Sequence, residues 1–339
     1  MRRKIFKPFP ALIAALSVFG TLSSIDVLSQ QPNKGSSQYT DAWVKDARSW
    51  RETWPENEKL MVVKVTDNIQ MIHGVGGTTA VLTTADGALV VDTGHPRVME
   101  RRLFPTVKDI AGDNPVRYVI NTHGHGDHAG GNAYYARQGA IVIAHDDTRN
   151  EIANPPPHYP PVVLEGLPAI SFNDKMTLHF GGQTIELLHG PFGHSSGDVI
   201  VYFKEANVVH TGDIFIYHGY VSAAGMYKNP KGATLGLIQE QKMVLSLGDD
   251  NTKFITGHSR GIVSTRKDME RDHNVLVSIV EKIQDGIESG KSLDEIKATK
   301  PGKEFDDSYA WPGMLPGRTV ELYYYGLVGA APPSPRRIM

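Results

Sequence analysis

The chain has no cysteine. Disulfides, thiolate metal ligands and a cysteine-linked lipid anchor are therefore excluded. An excess of one charge is also missing. Lys and Arg number 35 against 37 Asp and Glu, for a formal net charge of −2 over 339 residues. Nucleic-acid binding usually leaves a basic footprint, so no nucleic-acid partner is expected. Long apolar runs are scarce as well. The apolar stretch from Pro10 to Leu22 is too short for an ordinary membrane span. It follows a basic start, Met1 to Lys7, and precedes small residues at Ser23, Ser24 and Ser29. That pattern predicts an export signal over 1–29 and a periplasmic or secreted mature protein with no stable membrane span.

Apolar residues make up 40% of the chain, enough for a sizeable core. The chemistry is concentrated in Thr122-His123-Gly124-His125-Gly126-Asp127-His128-Ala129-Gly130-Gly131. Imidazole and carboxylate together form a donor set that suits zinc, and iron or manganese can share it. His123 and His125 are two apart, so on extended backbone they point the same way. Asp127 and His128 are adjacent and can turn toward a second point. The interleaved glycines let the backbone approach an ion without Cβ clashes. One short loop could thus serve two ions.

The surrounding pattern predicts an α/β chain. Residues 30–58 read as a polar linker or N-terminal extension, with Pro32 and Gly35. Strands are expected at 61–65, 69–72, 78–83, 88–91, 116–120, 141–144, 176–180, 184–188, 199–203, 208–211 and 253–256. The Gly74–Gly77 run does not open a helix, so it carries no phosphate-binding role. Apolar spacing predicts helices over 97–111, 133–138 and 233–247. Thr265 with Asp268 has the form of a capping box opening a helix to Gly290, and Ser292 with Glu295 starts another. Asn154 to Pro161 is too proline-rich for helix or sheet and reads as a stiff loop. The tail over 301–339, with Tyr323-Tyr324-Tyr325, is expected to pack back on the domain.

The His-x-His-x-Asp-His stretch resembles the signature of the metallo-β-lactamase superfamily. Further matches follow in order: Asp92 in Val90-Val91-Asp92-Thr93-Gly94, His194 in Gly193-His194-Ser195, Asp213 in Thr211-Gly212-Asp213 and His258 in Thr256-Gly257-His258-Ser259. The resemblance implies a four-layer αββα sandwich with mixed sheets over residues 59–300 and a site at one edge. It further implies that His123, His125 and His194 hold one zinc, that Asp127, His128 and His258 hold another, and that Asp213 bridges them. Asp92 would orient ligands from behind. Water activated by the ions would attack an acyl carbon, and Asp127 or water would protonate the leaving group. Asp at position 213, where many zinc β-lactamases carry cysteine, is similar to the Asp-bridged members such as glyoxalase II and the acyl-homoserine lactonases. The resemblance thus implies hydrolysis of an ester, thioester, lactone or lactam in a small-molecule substrate. Tyr217 and Tyr220 are candidates for a tyrosine that assists at the metals. The competing expectations are a β-lactamase proper, a mononuclear iron oxygenase acting on persulfide, and a non-catalytic zinc-binding accessory protein of a quinoprotein system.

Overall fold

Strand after strand in this chain alternates between two buried faces, which requires each sheet to be covered on both sides. The computed structural model describes residues 57–154, 164–223 and 231–330. The expected signal segment and the Pro-rich loop from Pro155 on lie outside the described residues. In the first sheet, β1 (Met61–Lys64), β2 (Ile69–His73), β3 (Thr79–Thr84) and β4 (Gly87–Val91) run antiparallel. Strands β5 (Val116–Ile120), β6 (Ile141–His145) and β7 (Ile170–Phe172) extend it in parallel. In the second sheet, β8 (Lys175–Phe180), β9 (Gln183–His189), β10 (Val199–Phe203) and β11 (Val208–His210) are antiparallel, and β12 (Lys253–Ile255) joins β11 in parallel.

The helices are α1 (Phe104–Ala111), α2 (Gly126–Ala129), α3 (Asn132–Arg137), α4 (Asp146–Ala153), α5 (Ala233–Leu245), α6 (Arg266–Glu288), α7 (Leu293–Thr299), α8 (Lys303–Tyr309) and α9 (Pro316–Val328). Successive strand residues point to opposite faces, and this sorts the core into three layers. Leu89, Val91, Ile120 and Ile143 face Leu187, Val199, Val201, Phe203 and Ile255 between the sheets. The intervening Val90, Val119 and Val142 pack outward against Leu103, Val107 and Tyr135. On the other side Ile200, Val209 and Phe254 meet Leu237, Met269, Leu276 and Ile283. Helix, sheet, sheet, helix is the expected four-layer order. Phe203 is fully buried between the sheets. Phe203→Ala should cost about 3–5 kcal/mol in chemical denaturation.

Two elements depart from expectation. The helix expected over 97–111 is broken: a turn at Pro96–Val98 passes into a π-helical stretch, Met99–Leu103, and only then into α1. Phe104 N–H reaches back five residues to Met99 O. Pro105 has no N–H and its ring would crowd the carbonyl one turn back, so the backbone widens just before it. The short edge strand β7 carries no sequence signal. It owes its existence to pairing with β6. Both expected capping boxes form, at Thr265/Asp268 and Ser292/Glu295. Beyond Pro301, Val320, Leu322 and Tyr323 of α9 are buried in the same core as α5 and α6.

Candidate metal centre

Each ligand-type residue leaves the end of a strand or the turn after it. The bend after β5 delivers His123, and His125 follows on extended backbone. The single turn α2 then carries Asp127 and His128, with His128 N–H on His125 O at 3.0 Å. The helical turn that begins after His125 aims the two pairs at different points. His194 follows β9, Asp213 follows β11 and His258 follows β12.

The side chains gather into two groups: His123, His125, His194 and Asp213, and beside them Asp127, His128 and His258. In the first, His123 Nε2 lies 3.0 Å from His125 Nδ1, which lies 3.1 Å from His194 Nε2. His194 Nε2 is 3.5 Å from Asp213 Oδ2. In the second, Asp127 Oδ2 is 3.5 Å from His128 Nε2 and 3.4 Å from His258 Nε2. Asp213 faces both groups, with Oδ1 3.2 Å from His128 Nε2 and Oδ2 3.5 Å from His258 Nε2. Donors about 2.0–2.1 Å from a tetrahedral ion stand roughly 3.3–3.4 Å from each other. The observed spacings are close to that. His128 Nε2 and Asp213 Oδ1 are buried without a hydrogen-bond partner. Such orphaned atoms are costly unless something else satisfies them. The donor set and the orphaned atoms both fit divalent ions.

A model of the metallo-beta-lactamase superfamily matches residues 73–258, more than half of the chain. The chain belongs to that superfamily. It is 28% identical over 183 residues to the "Lactamase-like protein aptB" of Emericella nidulans, covering 51% of this chain and 50% of that protein. It is 26% identical over 150 residues to the "Atrochrysone carboxyl ACP thioesterase" of Aspergillus terreus, covering 42% of this chain and 40% of that protein. The chain thus spans half or less of the length of these curated relatives. Among solved structures, a metallo-beta-lactamase from Pontibacter korlensis superposes with a TM-score of 0.53 at 20% identity, covering 64% of this chain and 99% of that one. The DIM-1 metallo-beta-lactamase exposed to ceftazidime gives 0.51 at 17%, covering 64% and 96%. These likenesses show the fold.

Within this metallo-β-lactamase fold, hydrogen bonds behind the ligands fix their ring orientation. Asp92 is fully buried. It accepts from Thr122 N at 2.8 Å and Thr122 Oγ1 at 2.7 Å, and its Oδ2 lies 2.7 Å from His128 Nδ1. Because Thr122 Oγ1 donates to Asp92, it accepts from His123 Nδ1 at 3.0 Å. Asp92 therefore leaves Nε2 of both His128 and His123 facing the centre. Its φ of +61° is a left-handed conformation rare outside glycine. That conformation turns the chain at the end of β4 and brings the carboxylate beneath the loop. Asp92→Asn should weaken metal binding about 10–100-fold in chelator competition. His194 Nδ1 donates to Ser222 O at 2.9 Å. Asp198 accepts from Ser195 N and Oγ, each at 2.6 Å, and braces the same loop. Burial pushes the Asp198 carboxyl up to about 6. Close approach demands glycine at two points: a Cβ on Gly77 would fall 2.3 Å from the His128 ring, and one on Gly257 would fall 1.9 Å from Asp213 Oδ1.

The charges divide the two groups. Burial lowers His123, His125 and His194 and keeps them neutral. Burial also opposes charge on His258, but Asp213 and Asp127 outweigh it and push His258 up to about 10. Against the same opposition, Asp213, Asp127 and Asp92 raise His128 well above its usual value. In return the two histidines outweigh burial at Asp127 and Asp213 and hold both below the usual carboxylate range.

Of the two expected tyrosines, Tyr220 is turned away from the cluster. The Tyr220 hydroxyl donates to Asp306 Oδ1 at 2.7 Å and Gly302 O at 3.2 Å. Burial and that carboxylate push its phenol far up. A buried hydroxyl takes the nearest strong acceptor, and here α8 supplies one. The Tyr217 ring lies 5.7 Å from the Arg271 guanidinium, and its backbone N–H donates to His258 O at 3.3 Å. Sequence reasoning missed His210. It is fully buried, donates through Nε2 to Thr78 O at 3.0 Å and accepts from Gly212 N at 3.2 Å. A histidine in the apolar strand just before Gly212-Asp213 was the available signal. Trp311 was missed too, and its ring lies 5.4 Å from that of His258.

Proposed function

We propose that this chain is an exported, dinuclear zinc-dependent hydrolase that cleaves an acyl bond, a thioester or ester before a lactone or lactam. The observation that carries the reading is Asp213. It is a buried carboxylate facing both ligand groups, with Oδ1 3.2 Å from His128 Nε2 and neither atom in a hydrogen bond. His123, His125 and His194 would hold one ion, and Asp127, His128 and His258 the other. When bound, such a pair supplies Lewis-acid chemistry, lowering the pKa of a water toward about 7 and polarising the acyl oxygen. The chain supplies the rest. Asp92 and Thr122 hold the ring tautomers. Asp213 compensates positive charge at the junction. Asp127, whose side chain is 20% exposed against 7% for Asp213, is the carboxylate turned toward solvent. It can take a proton from water and pass it to the leaving group. The buried walls exclude bulk water from the rear of the site.

The thioester preference is supported by the similarity to a protein named as an ACP thioesterase. Asp213, where many zinc β-lactamases have cysteine, supports the same side of the family. Export rests on the basic and apolar N-terminal pattern, and sequencing the mature N-terminus would find cleavage near residue 29. The direct test is hydrolysis of an acyl thioester, a homoserine lactone and a chromogenic cephalosporin by zinc-loaded protein, with a chelator control. Chelator-sensitive thioester turnover is expected. Metal binding with no turnover of any substrate would favour the accessory-protein reading instead.

A further inference from the structure

The family match ends at residue 258, yet the chain beyond it returns to the metal centre. Trp311 sits in a tight turn between α8 and α9. The turn closes on itself, with Met314 N–H on Trp311 O at 2.8 Å and Trp311 N–H on Met314 O at 3.3 Å. Its two flanks are fastened to the domain. Tyr309 donates through its hydroxyl to Asp272 Oδ1 at 2.6 Å, and its carbonyl accepts from Tyr220 N at 3.0 Å. Met314 is buried in the core. The indole is then pinned individually. Its Nε1 donates to Tyr220 O at 3.0 Å, and a Cβ on Gly313 would fall 2.1 Å from the ring. The surface so held rests on His258, with ring centroids 5.4 Å apart at an interplanar angle of 39°.

We propose that Trp311 is a positioning residue for His258, and that through it the chain beyond the family core sets metal affinity at the Asp127–His128–His258 group. An indole face favours a cation or a polarised ring edge beside it. It also removes rotamers that His258 would otherwise populate, which lowers the ordering cost of binding. His123 and His194 have their own supports in Thr122 and Ser222. The effect of Trp311 is therefore confined to one ion. This inference rests on the two-ion reading above.

The test is stepwise zinc titration of the metal-free full chain against a chromophoric chelator. The wild-type protein is compared with Trp311→Ala, Trp311→Phe and Gly313→Ala. Trp311→Ala should weaken the second ion about tenfold, within the range of groups that orient a ligand from behind, and leave the first unchanged. Trp311→Phe should restore most of that loss. Gly313→Ala should reproduce the loss without deleting the indole, because its methyl displaces the ring. Equal weakening of both ions would mean a general structural role and would overturn the proposal. So would unchanged affinity for both, including the case where only KM shifts and the indole proves to be a substrate wall. If the wild-type protein takes up one ion only, the dinuclear reading fails and this inference with it. If it takes up two and Trp311→Ala does the same at equal affinity, this inference fails alone.

Discussion

Asp213→Ala should lower turnover by about a thousandfold or more. The carboxylate is the one group shared by both ligand clusters, 3.5 Å from His194, 3.2 Å from His128 and 3.5 Å from His258. On the proposed two-ion reading, its loss would remove a ligand and the negative charge that offsets the positive charge at the junction of the two groups. If this costs about 4 kcal/mol of transition-state stabilisation, the rate falls about a thousandfold. The metal-free protein should suffer as well. Removing one partner of a buried charge network typically costs about 3–5 kcal/mol, because the remaining charges lose compensation. Asp213→Asn keeps the shape and one acceptor oxygen. It should lose as much activity but less stability. Turnover, metal content by mass spectrometry and denaturant midpoints check the three parts. Near-normal activity in either variant would remove Asp213 from the centre of the mechanism.

Zinc loading of the metal-free protein near pH 7 should release about two protons per chain. His128 is held well above its usual value, and His258 is held up to about 10. Both therefore carry protons at neutral pH that must leave before Nε2 can bind an ion. His123, His125 and His194 are already neutral and release none. Affinity for the Asp127–His128–His258 group should fall by about a hundredfold per pH unit between about pH 8 and 6, as expected for two displaced protons. The stability of the metal-free protein carries the opposite slope. A group whose pKa is raised on folding stabilises fully below its unfolded value, about 6.5, and loses that contribution as pH climbs toward the folded value. Metal-free protein should therefore weaken between about pH 6.5 and 10 as His258 titrates. Calorimetry in buffers of different ionisation enthalpy reads the proton count. Zero release would mean that both histidines are neutral and the carboxylates are not paired with them.

The clustered ligand-type residues were legible because their order along the chain is local. His123 to His128 lie in one short loop and the helical turn it opens, and His194, Asp213 and His258 each follow an apolar strand. The layers were legible because alternation at Leu89, Val90 and Val91 or at Val199, Ile200 and Val201 needs two covered faces. What escaped depends on distant partners. Tyr220 stands near Asp213 in sequence, but Asp306, on a helix 86 residues away, takes its hydroxyl. Trp311 reaches His258 only because Tyr309 and Met314 fasten its turn. The break before α1 was written in Pro105, whose missing N–H outweighs the apolar spacing around it.

The most direct test of the central claim is zinc stoichiometry followed together with thioester hydrolysis during stepwise loading of the metal-free protein. The proposed dinuclear reading predicts two zinc ions per chain, with activity rising mainly on the second equivalent and vanishing with chelator. His258→Ala should retain one ion and lose that rise. Full activity with a single ion, or turnover that survives complete metal removal, would contradict the account.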